Sequence, residues 1–191
     1  MTRPSRLLAI AALGAAAAAG PAHAQQVIGE TRAEQCFQMV QAGDPGRATS
    51  LRLCRGALTD ARLTARDRAA TLVNLGILHR RAGEPEAAIR AYDRALAIAP
   101  EMGEAWLNRG AARLAADDAE GAIADFDQAL SLQVSRPERA YFNRAMAREA
   151  LGDVAGAYAD YLAAFEIAPG FAPAERALTR FEVAAPDDAQ G

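Results

Sequence analysis

From about residue 65 to residue 171, apolar positions return at spacings of three and four, the helical period, in stretches of about a dozen residues. Short polar turns interrupt them at Ala82-Gly83-Glu84-Pro85, Ala116-Asp117-Asp118 and Leu151-Gly152-Asp153. The stretches also repeat one another. Leu72-Val-Asn-Leu-Gly76 aligns with Trp106-Leu-Asn-Arg-Gly110 and with Tyr141-Phe-Asn-Arg-Ala145. Each is followed by the same run: Ala88-Ile89, Tyr92, Ala95-Leu96 in the first, Ala122-Ile123, Phe126, Ala129-Leu130 in the second, and Ala157-Tyr158, Tyr161, Ala164-Phe165 in the third. Gly76 and Gly110 are 34 residues apart, Gly110 and Ala145 are 35, and the extra residue falls in the linker Gln133–Pro137. Each unit therefore predicts a helical hairpin. Gly76, Gly110 and Ala145 are placed to approach Ala88, Ala122 and Ala157 closely, with the aromatic ring filling the volume beyond. Ala95, Ala129 and Ala164 are placed to admit the next unit. No such hairpin buries both faces alone, so the units must stack.

These residues resemble the tetratricopeptide repeat family, specifically over Ala69 to Phe171. The resemblance implies an all-α solenoid with repeats at 69–102, 103–136 and 138–171 inside a domain spanning 66–171. Arg109 and Arg144 stand where the family prefers Leu, and His79, Arg113 and Arg148 where it prefers Tyr. Asp125, Asp127 and Asp160 are candidates to pair with these arginines. A weaker match covers Thr31 to Thr59, where Ser50-Leu51, Cys54 and Ala57-Leu58 align with the first good unit at an offset of 38. Residues 25–65 thus read as a degenerate first hairpin, turning at Gly43-Asp44-Pro45-Gly46, with Cys54 in the aromatic slot and Cys36 facing it. Residues 172–182 read as a capping helix with Leu178 and Phe181 facing back, and 183–191 as a disordered tail.

The resemblance also implies where a partner binds. In this fold the first helices of the repeats line a concave groove. Groove positions fall at Val73, Asn74, Ile77, Arg80 and Arg81 in the first repeat. They fall at Glu104, Leu107, Asn108, Ala111 and Leu114 in the second, and at Arg139, Phe142, Asn143, Met146 and Glu149 in the third. Asn74, Asn108 and Asn143 occupy one repeat position and form a row of amides, each able to donate and accept. Such a row suits the backbone of an extended peptide; equally, it suits hydrogen bonds between neighbouring helices. Chaperone-binding members of the family clamp a terminal carboxylate, but only Asn108 and the basic Arg139 fit that pattern here, while Val73, Ile77 and Asn143 do not. The expected partner is a protein or peptide held in the groove. The alternative is a structural subunit of a cell-envelope complex, or a self-assembly, that uses the convex face or the ends.

The N-terminus adds an address. Arg3 and Arg6 precede 13 uncharged, mostly apolar residues from Leu7 to Ala19, Gly20-Pro21 breaks the run, and Ala22-His23-Ala24 supplies small residues at −3 and −1. The run is shorter than the roughly 20 residues a membrane span needs. Residues 1–24 are expected to be a signal peptide cleaved after Ala24, giving a periplasmic or secreted chain starting at Gln25. No Cys follows that site to carry a lipid. Export favours pairing Cys36 with Cys54, the only two cysteines, over two reduced buried thiols.

Composition removes other functions. The 191 residues carry 21 Lys+Arg, all of them Arg, against 24 Asp+Glu. Without lysine there is neither a Schiff base nor a P-loop, and an acidic chain lacks the basic face that nucleic acid needs. His79 is the one histidine beyond the leader and sits in a packing slot. No serine lies in a G-x-S-x-G elbow, and no ligand spacing marks a metal or cofactor site. The chain is expected not to be an enzyme and to bind neither metal nor cofactor.

Overall fold

The computed structural model describes residues 31–43 and 46–183. The expected leader, its cleavage site, the turn residues Asp44-Pro45 and the chain from 184 onward lie outside the described residues. Among those described there are nine helices and no strand: α1 Arg32–Gln41, α2 Arg47–Ala57, α3 Ala65–Arg81, α4 Pro85–Ile98, α5 Gly103–Leu114, α6 Ala119–Ser131, α7 Pro137–Ala150, α8 Val154–Ile167 and α9 Ala172–Val183. Each packs on the next in chain order, and α1, α3, α5 and α7 also touch in succession, so the odd helices form one layer and the even helices the other. The last helix reaches Val183, one residue past the expected end of the capping helix.

The helix ends follow local chemistry. Thr31, Thr64, Asp118 and Asp153 accept from the backbone N–H three residues on, satisfying donors that a helix start leaves open. Pro85 and Pro137 stand in first turns, where a missing N–H costs nothing. The hairpin turns pass through a left-handed residue, Gly83 in one and Gly152 in another; Asp117 takes the same conformation at φ 61°. Its neighbour Asp118 is the N-cap of α6.

Inside each hairpin the aromatic ring lies directly on the small residue rather than beyond it. A Cβ at Gly76 would stand 2.4 Å from Tyr92 Cε1, and one at Gly110 2.7 Å from Phe126 Cε1. Tyr92, Phe126 and Tyr161 are fully buried or nearly so, among Ala88, Ala122, Ala157 and their neighbours.

Arginine and aspartate tie the later repeats together. Asp125 on α6 is almost wholly buried and accepts two bonds from Arg109 at 2.7 and 2.9 Å and one from Arg113 at 2.9 Å, both on α5. Arg109 also reaches back to Asp93 of the preceding repeat at 2.7 Å. The third repeat repeats the pattern: Asp160 is held by Arg144 at 2.6 and 2.8 Å and by Arg148 at 3.0 Å, while Arg144 reaches back to Asp127. Hydrogen bonding to Asp160 holds the Arg144 guanidinium well above its ordinary pKa, against the opposing pull of burial.

The first hairpin is joined differently. Cys36 and Cys54 form a disulfide, fully buried, that packs with Val40 against Leu75, Leu78 and Ala91 of the first repeat. Arg68 donates to the carbonyls of Leu58 and Asp60 at 2.6 and 3.1 Å. Glu84, at the N-cap of α4, accepts from His79 Nδ1 at 2.7 Å and from Arg47 on α2.

Candidate interaction groove

The groove positions sort by depth. Val73 and Leu107 are buried, at 8% and 6% exposure, in the clusters containing Tyr92 with Ala105 and Phe126 with Ala140. Alanine-rich helices approach closely enough here that this register lies deep, and Asn74 beside Val73 is buried as well. Ile77 is half-buried between two clusters. Phe142 is also half-buried, its ring 5.4 Å from that of Tyr161 and 5.5 Å from that of Phe171. Arg81 donates to Val40 O at 2.7 Å, clasping the end of α1. Arg80, Arg139 and Met146 are exposed.

The amide row is uneven. Asn108 Nδ2 donates one N–H to Glu104 O of its own helix at 2.7 Å. Asn143 is half-buried, and Asn74 sits at the edge of a cleft. Glu104 accepts from the Ser135 backbone and hydroxyl at 3.2 and 2.6 Å, which fixes the linker between repeats. Glu149 accepts from the Tyr161 hydroxyl and pairs with Arg180 of α9 at 3.1 Å. Burial, then the Glu149 carboxylate, push the Tyr161 hydroxyl upward in pKa.

The cleft beside Asn74 has a volume of about 1160 Å³ and was not foreseen from the sequence. Helix α1 forms one wall, with Arg32, Glu34 and Phe37; the linker supplies Asp60 and Leu63; α3 supplies Thr71. Phe37 is 42% exposed. Its signal in the sequence is an aromatic one residue off the buried stripe of Cys36 and Val40. Asp60 is held below its ordinary pKa by hydrogen bonds from Arg62. Among the described residues no cluster of three or more His, Cys, Asp or Glu is placed to hold a metal ion, and no helix is long and apolar enough to cross a membrane.

The tetratricopeptide repeat profile matches residues 69–102 and, separately, residues 138–171. The chain belongs to the tetratricopeptide repeat family. Solved structures share the fold. The crystal structure of MamA superposes with a TM-score of 0.64 at 22% identity, covering 75% of this chain and 80% of that one. The first tetratricopeptide repeat domain of human RPAP3 gives 0.59 at 25% identity, covering 62% and 93%. The second domain of human RPAP3, solved in complex with the HSP70 peptide SGPTIEEVD, gives 0.58 at 26% identity, covering 62% and 98%. No curated protein sequence matches the chain. In this tetratricopeptide repeat protein α5 and α6, between the two matched segments, form a hairpin packed as in their neighbours.

Proposed function

We propose that this chain is an exported, non-enzymatic interaction module that holds a protein or peptide partner in its concave groove. The observation that carries the reading is the division of labour among side chains. The Arg–Asp ladder spends its polar groups inside the stack, whereas Arg80, Arg139 and Met146 of the groove set stay exposed, and a cleft reaching from α1 to Asn74 opens at the first hairpin. The peptide-bound RPAP3 domain supports a peptide as the partner class. Its carboxylate-tipped ligand does not transfer directly, because this chain keeps only Asn108 and Arg139 of the five clamp positions. The leader-like segment before Gln25 and the paired cysteines support a periplasmic or secreted site of action, since disulfides persist in oxidising compartments.

A second reading has an observation of its own. Leu151, Val154 and Tyr158 are 45%, 59% and 42% exposed at one edge of the third repeat. An apolar end suits a subunit of an envelope assembly or self-association. Affinity capture from an exported fraction separates the two readings. An Asn143→Ala/Met146→Ala/Arg139→Ala variant should lose the partner that a Val154→Glu/Tyr158→Glu variant keeps. The opposite pattern would transfer the function to the end of the stack.

A further inference from the structure

Among the described residues one buried side-chain polar atom lacks a hydrogen-bond partner: the hydroxyl of Tyr92. The other two repeats show what that position requires. Tyr161, its counterpart in the third repeat, donates its O–H to Glu149, and Arg180 closes on the same carboxylate. The second repeat has Phe126 without a hydroxyl, and Leu114 stands in the place of Glu149. Ring and partner change together. In the first repeat the hydroxyl is present, but the place of the carboxylate is taken by Arg80. A guanidinium has only donors, so it cannot accept the phenol proton. Arg80 approaches the hydroxyl as a donor as well as a charge, Arg81 adds a second charge, and burial outweighs them in pushing its titration upward, so the phenol proton itself still has no acceptor. Glu84, the acid of the same hairpin's turn, is committed to His79 and Arg47.

We propose that the first repeat is a carboxylate-binding site, in which an acidic group of a groove-bound peptide accepts the Tyr92 O–H and pairs with Arg80, as Glu149 does internally with Tyr161 and Arg180. The proposal rests on the groove reading and names its ligand chemistry. Arg80 is exposed and long, so its guanidinium moves aside with the incoming group and admits it to the hydroxyl. Binding is favoured twice. A buried donor that has no partner in the unliganded protein gains one, and both new contacts are charge-assisted. The lysine-free groove has few other positive charges to compete: Arg81 is tied to Val40 O, and Arg139 lies two repeats away.

The test uses the full chain with tyrosine labelled for magnetic resonance and three short peptides. One is Ala-Ala-Glu-Ala-Ala, acetylated and amidated; the second is its Gln twin; the third is the Gln twin with a free C-terminus. The Tyr92 ring signal should move with the first if side-chain carboxylates bind, with the third if terminal carboxylates bind, and not with the second. Tyr92→Phe should weaken the responding peptide about tenfold, the worth of one hydrogen bond to a charged group. This variant copies Phe126 and so folds. Arg80→Glu should abolish binding, because it supplies the hydroxyl with an internal acceptor. A Tyr92 signal indifferent to all three peptides overturns the proposal, as does equal affinity in both variants. An acid-selective response elsewhere in the groove would overturn it too, while leaving the groove reading in place.

Discussion

The third repeat and the N-terminal hairpin join two helices by opposite means. Between α7 and α8, Tyr161 packs in the cluster with Ala145, and a buried Asp160 gathers Arg144 and Arg148 from the facing helix. Between α1 and α2, Cys54 fills the aromatic slot, Ser50 the alanine slot, and the sulfur bridge reaches Cys36. The first repeat stands between the two and has given up the ionic ladder. Leu75, His79 and Ala91 occupy the places of Arg109, Arg113 and Asp125, and Leu75 and Ala91 pack on the cystine side. The exchange is concerted, because an aspartate at 91 without an arginine at 75 would be a buried, unpaired charge. A seam facing an apolar neighbour is apolar; a seam between two consensus repeats is ionic. What varies along the stack is therefore the seam chemistry and not the hairpin geometry.

The largest way to break this contrast is Asp160→Ala. It leaves Arg144 and Arg148 half-buried without their shared partner and should cost about 3–5 kcal/mol in urea unfolding. Arg144→Leu/Asp160→Ala, which copies Leu75 and Ala91, should recover most of that loss. If the double variant is no better than the single one, the ladder is not interchangeable with an apolar seam. Next is Cys36→Ala/Cys54→Ala. Closing 18 residues by a disulfide is worth about 3 kcal/mol in the chain-entropy treatment. Hydrogen exchange should show the loss confined to α1 and α2, with α3 onward protected, as nearest-neighbour stacking requires. Uniform loss would mean that the stack unfolds as one unit.

The hairpins were legible because each slot is written three times, so an apolar or small residue at one copy is checked by the other two. The arginine ladder was legible for the same reason: Arg109 and Arg144 recur at one position, and Asp125 and Asp160 at another. Depth was not legible. Periodicity assigns Val73 and Leu107 a face, but the distance between helices decides whether that face is floor or core, and here alanine makes the distance short. Nor does spacing say whether Asn108 turns to its own helix or to solvent, since Glu104 O is always four residues behind it. Glu84 is similar: as a helix-start acid it suits the dipole, and only the position of Arg47, 37 residues earlier, reveals its bonds. The cleft depends on how α1 lies against α3, which the linker sets.

Gly110→Ala sharpens the hairpin comparison at a smaller size. The new Cβ would meet the fully buried Phe126 ring at 2.7 Å. Overpacking of this kind costs about 1–3 kcal/mol, and the helix propensity of alanine returns about 1 kcal/mol. A net loss near 1 kcal/mol is expected from thermal unfolding. Stabilisation instead would show that the second hairpin dilates as freely as the third, where Ala145 is native.

The smallest effect belongs to Glu84, which links α2 to the first repeat at the edge of the apolar seam. Hydrogen bonds from His79, then Arg47, hold its carboxyl below the ordinary carboxylate value of 4.5. A carboxylate whose folded pKa is depressed stabilises the fold above its unfolded pKa and loses that contribution as pH falls through the folded value. The contribution should therefore be complete above about pH 5 and fade only below the ordinary carboxylate range. Two measurements check this. Carboxyl titration by magnetic resonance should place the Glu84 midpoint below that of the other exposed glutamates. The stability difference between the native chain and Glu84→Gln should be present near neutrality and vanish in acid. Because Arg47 is the partner on the far side of the seam, amide protection in α2 should decline over the same pH range, ahead of α5 to α8. A Glu84 midpoint at or above the ordinary value would mean that the His79–Glu84–Arg47 link does not persist in solution, leaving the cystine and its apolar neighbours to hold the first hairpin.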